Sequence, residues 1–191
     1  MKNNIIGRKS EQDTLTRIYE SRQSEFVAVC GRRRVGKTFL VREYFEQEMV
    51  FQASGLAGGN TQEQLKNFFY TLRRYDRKVS SVPHDWLDAF EMLISYLDSL
   101  SQVERKVVFL DELPWMDTMG SDFISALEHF WNGWASARRD IVLIVCGSAT
   151  SWMMDKLINN HGGLYGRLTH RLFLQPFSLG ESEAFLKTKG M

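Results

Sequence analysis

Along this chain, short apolar runs alternate with longer stretches in which apolar residues recur every three or four positions. The runs read as buried strands and the spaced stretches as helices packed against them. Phe26-Val27-Ala28-Val29-Cys30 marks a strand over 25–30. Phe39, Leu40, Val41, Tyr44 and Phe45 then predict a helix over 36–48. A second strand over 49–53 runs into a polar, Gly-rich turn at 55–60. Helical patterns follow over 61–75 and 84–100, parted by Ser80-Ser81-Val82-Pro83. Further strands are predicted over 107–110, 141–146 and 171–176. Between the first two of these, Phe123, Leu127, Phe130, Trp131 and Trp134 form the buried stripe of one helix. A polar amphipathic stretch over 180–189 follows the last strand. Strand and helix in alternation imply an α/β protein whose parallel sheet is covered on both faces.

Composition adjusts this picture only slightly. A chain of 191 residues, 43% apolar and 25% charged, suits one α/β domain with a sizeable core. The formal net charge of +1 argues against a global basic footprint. No apolar run approaches bilayer length, and Met1 to Gly7 lack the apolar core of a signal peptide, so a cytoplasmic protein without membrane contact is expected. Cys30 and Cys146 each end a predicted strand and read as reduced core thiols. The four histidines (His84, His129, His161, His170) show no metal-ligand spacing.

The chemistry is concentrated in Gly31-Arg32-Arg33-Arg34-Val35-Gly36-Lys37-Thr38, a complete G-x-x-x-x-G-K-[ST] loop set between a predicted strand and a predicted helix. Its glycines let backbone N–H groups approach phosphate oxygens, and the helix that follows adds its N-terminal partial charge. Lys37 is expected to reach the β- and γ-phosphates, and Thr38 to ligate Mg²⁺. Asp111 ends the apolar strand 107–110 and is expected to hold the same metal. Glu112 beside it has the chemistry to polarise an attacking water. Adjacent Asp-Glu fits hydrolysis better than transfer to a second substrate. After 141–146, Ser148, and Thr150 as second choice, are candidates to bond the attacking water or the γ-phosphate. Both residue types also suit capping of a helix starting near Ser151. The glycine-rich stretch 161–167 presents Arg167, a candidate to stabilise transition-state charge on a neighbouring subunit, with Arg171 a weaker one. Two basic clusters, Arg32-Arg33-Arg34 and Arg73-Arg74-x-x-Arg77-Lys78, read first as solvated faces and second as nucleic-acid contacts.

Ile6-Gly7-Arg8-Lys9-x-Glu11, the phosphate loop, Phe109 to Trp115, Cys146-Gly147-Ser148 and Leu164-Tyr165-Gly166-Arg167 occur in that order. Together they resemble the AAA-type ATPases of the archaeal/bacterial ATPase group, relatives of the signal-transduction ATPases with numerous domains. The resemblance spans about residues 5–180. It implies a three-layer P-loop NTPase sandwich with strand order 5-1-4-3-2, and a nucleotide site built from Gly31 to Phe39 with Ile6, Gly7 and Arg8 bordering the adenine. It further implies an ATPase domain over 1–178, followed over 179–191 by the start of a helical lid; the reading of Arg167 as an arginine delivered to a neighbouring subunit adds a candidate homo-oligomer. Under this reading ATP and Mg²⁺ are the cofactors, and hydrolysis drives a conformational change in C-terminal parts beyond the sequence. The alternative is a slow-turnover switch gated by ATP or ADP. With the implied strand order the two cysteines end neighbouring strands, where oxidation would link them or jam the loop.

Overall fold

Five strands carry the molecule: β1 (Glu25–Gly31), β2 (Met49–Ser54), β3 (Lys106–Asp111), β4 (Ile141–Gly147) and β5 (His170–Leu174). A computed structural model describes residues 5–148, 150–159, 162–188 and 190. All four strand pairings are parallel, in the order β2-β3-β4-β1-β5. Read from the other edge, this is 5-1-4-3-2, as expected. The three central strands are buried along nearly their whole length, so their β-branched runs need no polar alternation.

Successive side chains of a strand face opposite ways, and here the two faces meet different helices. Phe26, Ala28, Val108, Leu110, Leu143 and Val145 face α3 (Thr61–Tyr75), α4 (Trp86–Ser99) and α6 (Phe123–His129). Val27, Val29, Val107, Phe109, Val142 and Ile144 face α1 (Lys9–Glu20) and α2 (Lys37–Tyr44). The same alternation corrects the cysteine expectation. Cys30 pairs with Gly147 and Cys146 with Val29, so the thiols do lie on neighbouring strands, but they enter opposite layers. The sheet itself stands between them and prevents a disulfide.

Other departures are local. The helix expected over 36–48 ends at Tyr44, because Phe45 leaves helical geometry and the backbone N–H groups of Glu48 and Met49 both turn back to its carbonyl. The aromatic stripe does run on one helical segment, but after His129 it widens into a π turn over Phe130–Trp134 and tightens over Ala135–Ala137. The last strand covers 170–174 instead of 171–176. Helix α1 carries only two buried residues, Leu15 and Ile18, too few for a visible stripe. Short helices α5 (Leu113–Met116) and α7 (Thr150–Met153) follow β3 and β4, and α8 (Leu179–Thr188) follows β5. No helix of the described residues is long and apolar enough to cross a membrane.

Candidate active site

In a parallel sheet, ligand groups gather where strands end and helices begin. Here the carboxyl ends of β1, β3 and β4 meet. The loop after β1 needs its glycines for two reasons. A Cβ on Gly31 would lie 2.5 Å from the carbonyl oxygen of Leu174, so β5 leaves no room for one. Gly36 sits at φ +89° with open space on its Cβ side, and it heads α2 with no side chain capping that helix. The first N–H groups of α2 thus have no side-chain acceptor, the arrangement that binds anions. Lys37 is 6% exposed and donates to the carbonyls of Gly31 (2.9 Å) and Arg32 (2.8 Å), so its ammonium lies inside the loop's own curve.

Thr38 Oγ1 donates to Asp111 Oδ2 at 2.9 Å. The two residues are 73 positions apart, and the sheet order brings them together. The other Asp111 oxygen accepts the backbone N–H of Glu112 at 3.0 Å. Glu112 stands at φ +47°, a conformation costly for a residue with a side chain, at the turn from β3 into α5. Ser148 Oγ donates to Glu112 Oε2 at 3.2 Å, and Arg33 Nε reaches Ser148 Oγ at 3.5 Å, the outer limit of such a bond. Ser148 therefore joins the acidic pair across the β3–β4 boundary. The side chain of Thr150 and all of His161 lie outside the described residues.

Other expected residues are more dispersed. Arg32 and Arg34 are exposed, as is Phe39 at 52%. Arg167 is exposed in a loop held to the π turn by buried Leu164 and by the bond from Asn132 Nδ2 to the Gly163 carbonyl. Among the described residues its guanidinium touches neither the phosphate loop nor the Asp111-Glu112 pair. Arg171 lies exposed on edge strand β5.

Arg8 is more deeply built in than the sequence suggests. It is 6% exposed, donates through Nη2 to the Val35 carbonyl of the loop (3.1 Å), pairs with Glu11 (3.2 Å) and lies 4.7 Å from the ring centroid of Phe177. Its backbone N–H donates to Glu181 Oε1 at 2.9 Å. The other Glu181 oxygen accepts from the backbone N–H of Ser178, whose hydroxyl accepts from the Glu181 N–H. That is a capping box at the start of α8, and its Ser-x-x-Glu spacing was visible in the sequence; the partner Arg8, 173 residues away, was not. The N–H bonds from Arg8 and Ser178 hold the Glu181 carboxyl below its ordinary value of 4.5. The two thiols are inert by contrast: burial pushes Cys30 up to about 11 and Cys146 higher still. Ile6 and Gly7 lead into Arg8, half-buried.

A five-stranded parallel sheet with a glycine loop between β1 and α2 defines a P-loop nucleotide-binding protein. The comparisons agree: residues 6–189 match the ATPase domain found predominantly in Archaea, and the chain belongs to that family. It is 24% identical over 181 residues to an uncharacterized protein of Methanocaldococcus jannaschii, covering 95% of this chain and 38% of that one. Over 50 residues it is 35% identical to an uncharacterized ATP-binding protein of the same organism, covering 26% of this chain and 85% of that one. In fold it is similar to a Walker-type ATPase of Pyrococcus abyssi, with a TM-score of 0.68 at 20% identity over 97% of this chain and 58% of that one. The chain thus spans 38% of the length of the first relative and 58% of that of the solved neighbour, under two thirds of each.

Proposed function

We propose that this chain is a Mg²⁺-dependent ATPase of the AAA type, in which Glu112 activates the attacking water. The observation behind this reading is the convergence of Thr38, Asp111, Glu112 and Ser148 at the end of the phosphate loop, through bonds of 2.9 and 3.2 Å. A hydroxyl and a carboxylate oxygen side by side are hard oxygen donors of the kind Mg²⁺ takes, so Thr38 and Asp111 fit the metal. When bound, the ion would neutralise charge on the β- and γ-phosphates. Gly31 to Phe39 would bind and orient the triphosphate, with Lys37 on the β- and γ-phosphates. Glu112 would accept a proton from water while Ser148 fixes its carboxylate. Ile6, Gly7 and Arg8 would border the adenine, and Arg167 would reach the γ-phosphate held by a second copy. Residues 1–178 would form the ATPase domain. Helix α8 would begin a lid that carries the change onward.

A slow, ATP- or ADP-gated switch is the second reading. It is favoured by the chain from Arg33 through Ser148 to Glu112, which ties the proposed base to the phosphate loop. Single-turnover hydrolysis of radiolabelled ATP, with and without Mg²⁺, separates the two. Lys37→Ala is expected to weaken nucleotide binding about 100-fold or more, from the loss of two charge-assisted bonds at roughly 1.5–3 kcal/mol each. Unchanged affinity in that variant would overturn both readings.

A further inference from the structure

The ATP chemistry leaves one strongly charged surface unused. Lys66, Tyr70, Arg73 and Arg74 share the outer face of α3, at the i, i+4, i+7 and i+8 spacing that stacks side chains on one side of a helix. Arg77 and Lys78 extend the row just past its end. All six are exposed, while Leu65, Phe68, Phe69 and Leu72 on the inner face are buried. Residues 66–78 hold five cations and one carboxylate, a net +4 in a chain whose total is +1, which leaves the remaining residues at −3. Such asymmetry marks a surface for an anionic partner.

Three acids, on α3, at its C-terminal end and on α4, already hold other partners. Glu63 is closed into a capping box with Asn60, Asp76 accepts the backbone N–H of Lys78, and Asp98 pairs with Arg138. Among the described residues none of the five cations makes an ion pair. Aromatic rings are interleaved with them. Tyr70 is 56% exposed, and the Arg73 guanidinium stands 5.9 Å from the ring centroid of Phe69. Beside the row runs a cleft of about 400 Å³ in which Lys78 and Asp76 stand beside the serines Ser80, Ser81, Ser95 and Ser99, so that it is polar but not cationic.

We infer that this surface binds single-stranded nucleic acid, with phosphates on Arg73, Arg74, Arg77 and Lys78 and a base stacked on Tyr70. A row of cations with the exposed ring of Tyr70 among them matches a strand whose bases are free to stack. An acidic protein segment would use the cations and leave that ring idle. An anionic bilayer is held most firmly where a basic row lies beside an apolar helix face that inserts, and the apolar face of α3 is already in the core. The phosphate loop is remote in the sheet: α3 covers edge strand β2, with β3 and β4 lying between β2 and β1.

The test is fluorescence anisotropy of a labelled oligothymidine 20-mer titrated with the 191-residue chain, with a duplex, polyglutamate and phosphatidylserine vesicles run in parallel. Three to four phosphate contacts on a single strand predict affinity falling about 20- to 50-fold between 50 and 200 mM salt. Arg73→Ala/Arg74→Ala/Arg77→Ala is expected to bind at least tenfold more weakly with a shallower salt dependence, and Tyr70→Ala about fivefold more weakly. These residues are exposed, and an unchanged circular dichroism spectrum and ATP affinity verify that the variants fold. No binding to the 20-mer at 50 mM salt, equal binding by the triple variant, or stronger binding to the duplex, polyglutamate or vesicles would each overturn the inference.

Discussion

At the scale of the residue, Glu112 carries both the proposed chemistry and a conformational burden. A side chain at φ +47° costs roughly 1–2 kcal/mol relative to ordinary geometry, and this one sits beside Asp111 with its carboxylate fixed by Ser148. Glu112→Gln keeps the backbone strain and removes the base, so hydrolysis is expected to fall 10²- to 10⁴-fold with ATP still bound. Glu112→Gly removes strain and base together. It is expected to unfold at higher temperature, by about 1 kcal/mol of added stability, while hydrolysing nothing measurable. Paired melting curves and phosphate-release assays check this; a glycine variant less stable than the parent would show that the strain is illusory. Asp111, Glu112 and Ser148 were legible as candidates because each follows an apolar strand. The positive φ of Glu112 was not, since glutamate gives no sign of a left-handed turn.

Among the elements, the link between α8 and the phosphate loop is the least expected. Glu181 caps its own helix and holds the backbone of Arg8, whose side chain reaches the Val35 carbonyl. Removing the charge by Glu181→Gln should lower the melting temperature at neutral pH. The carboxyl titrates below its ordinary 4.5 in the folded protein, so its contribution is complete above that value and is lost as pH falls through the depressed one. The gap in melting temperature between parent and variant is therefore expected to stay level from pH 8 to about 5 and to close below 4.5. A gap that widens on acidification would contradict the assignment. Strands β1 to β4 and helices α3 and α4 could be read closely from apolar spacing. Helix α1 could not, because Leu15 and Ile18 are its only buried residues. Nor could the π turn at Phe130–Trp134, since α and π windings place Phe130 and Trp131 on nearly the same inner face.

For the molecule as a whole, the sheet is a partition between two cores. The spacing of apolar residues told that both faces are covered, but not which residue enters which layer, because in a run such as Phe26 to Cys30 every position is apolar. Cys30 lies in the α3–α4–α6 layer and Cys146 in the α1–α2 layer. Under a thiol oxidant such as diamide the native chain is expected to form no internal disulfide, and at pH 7.5 neither thiol should alkylate until the chain unfolds. Intact-mass spectrometry checks both; a loss of two mass units on oxidation of the folded protein would refute the opposed placement. The same placement gives the protein a built-in pair of opening gauges. Under mild destabilisation, alkylation of Cys30 would time the detachment of one helical layer and alkylation of Cys146 that of the other, so the order in which the sandwich comes apart can be read without adding a probe.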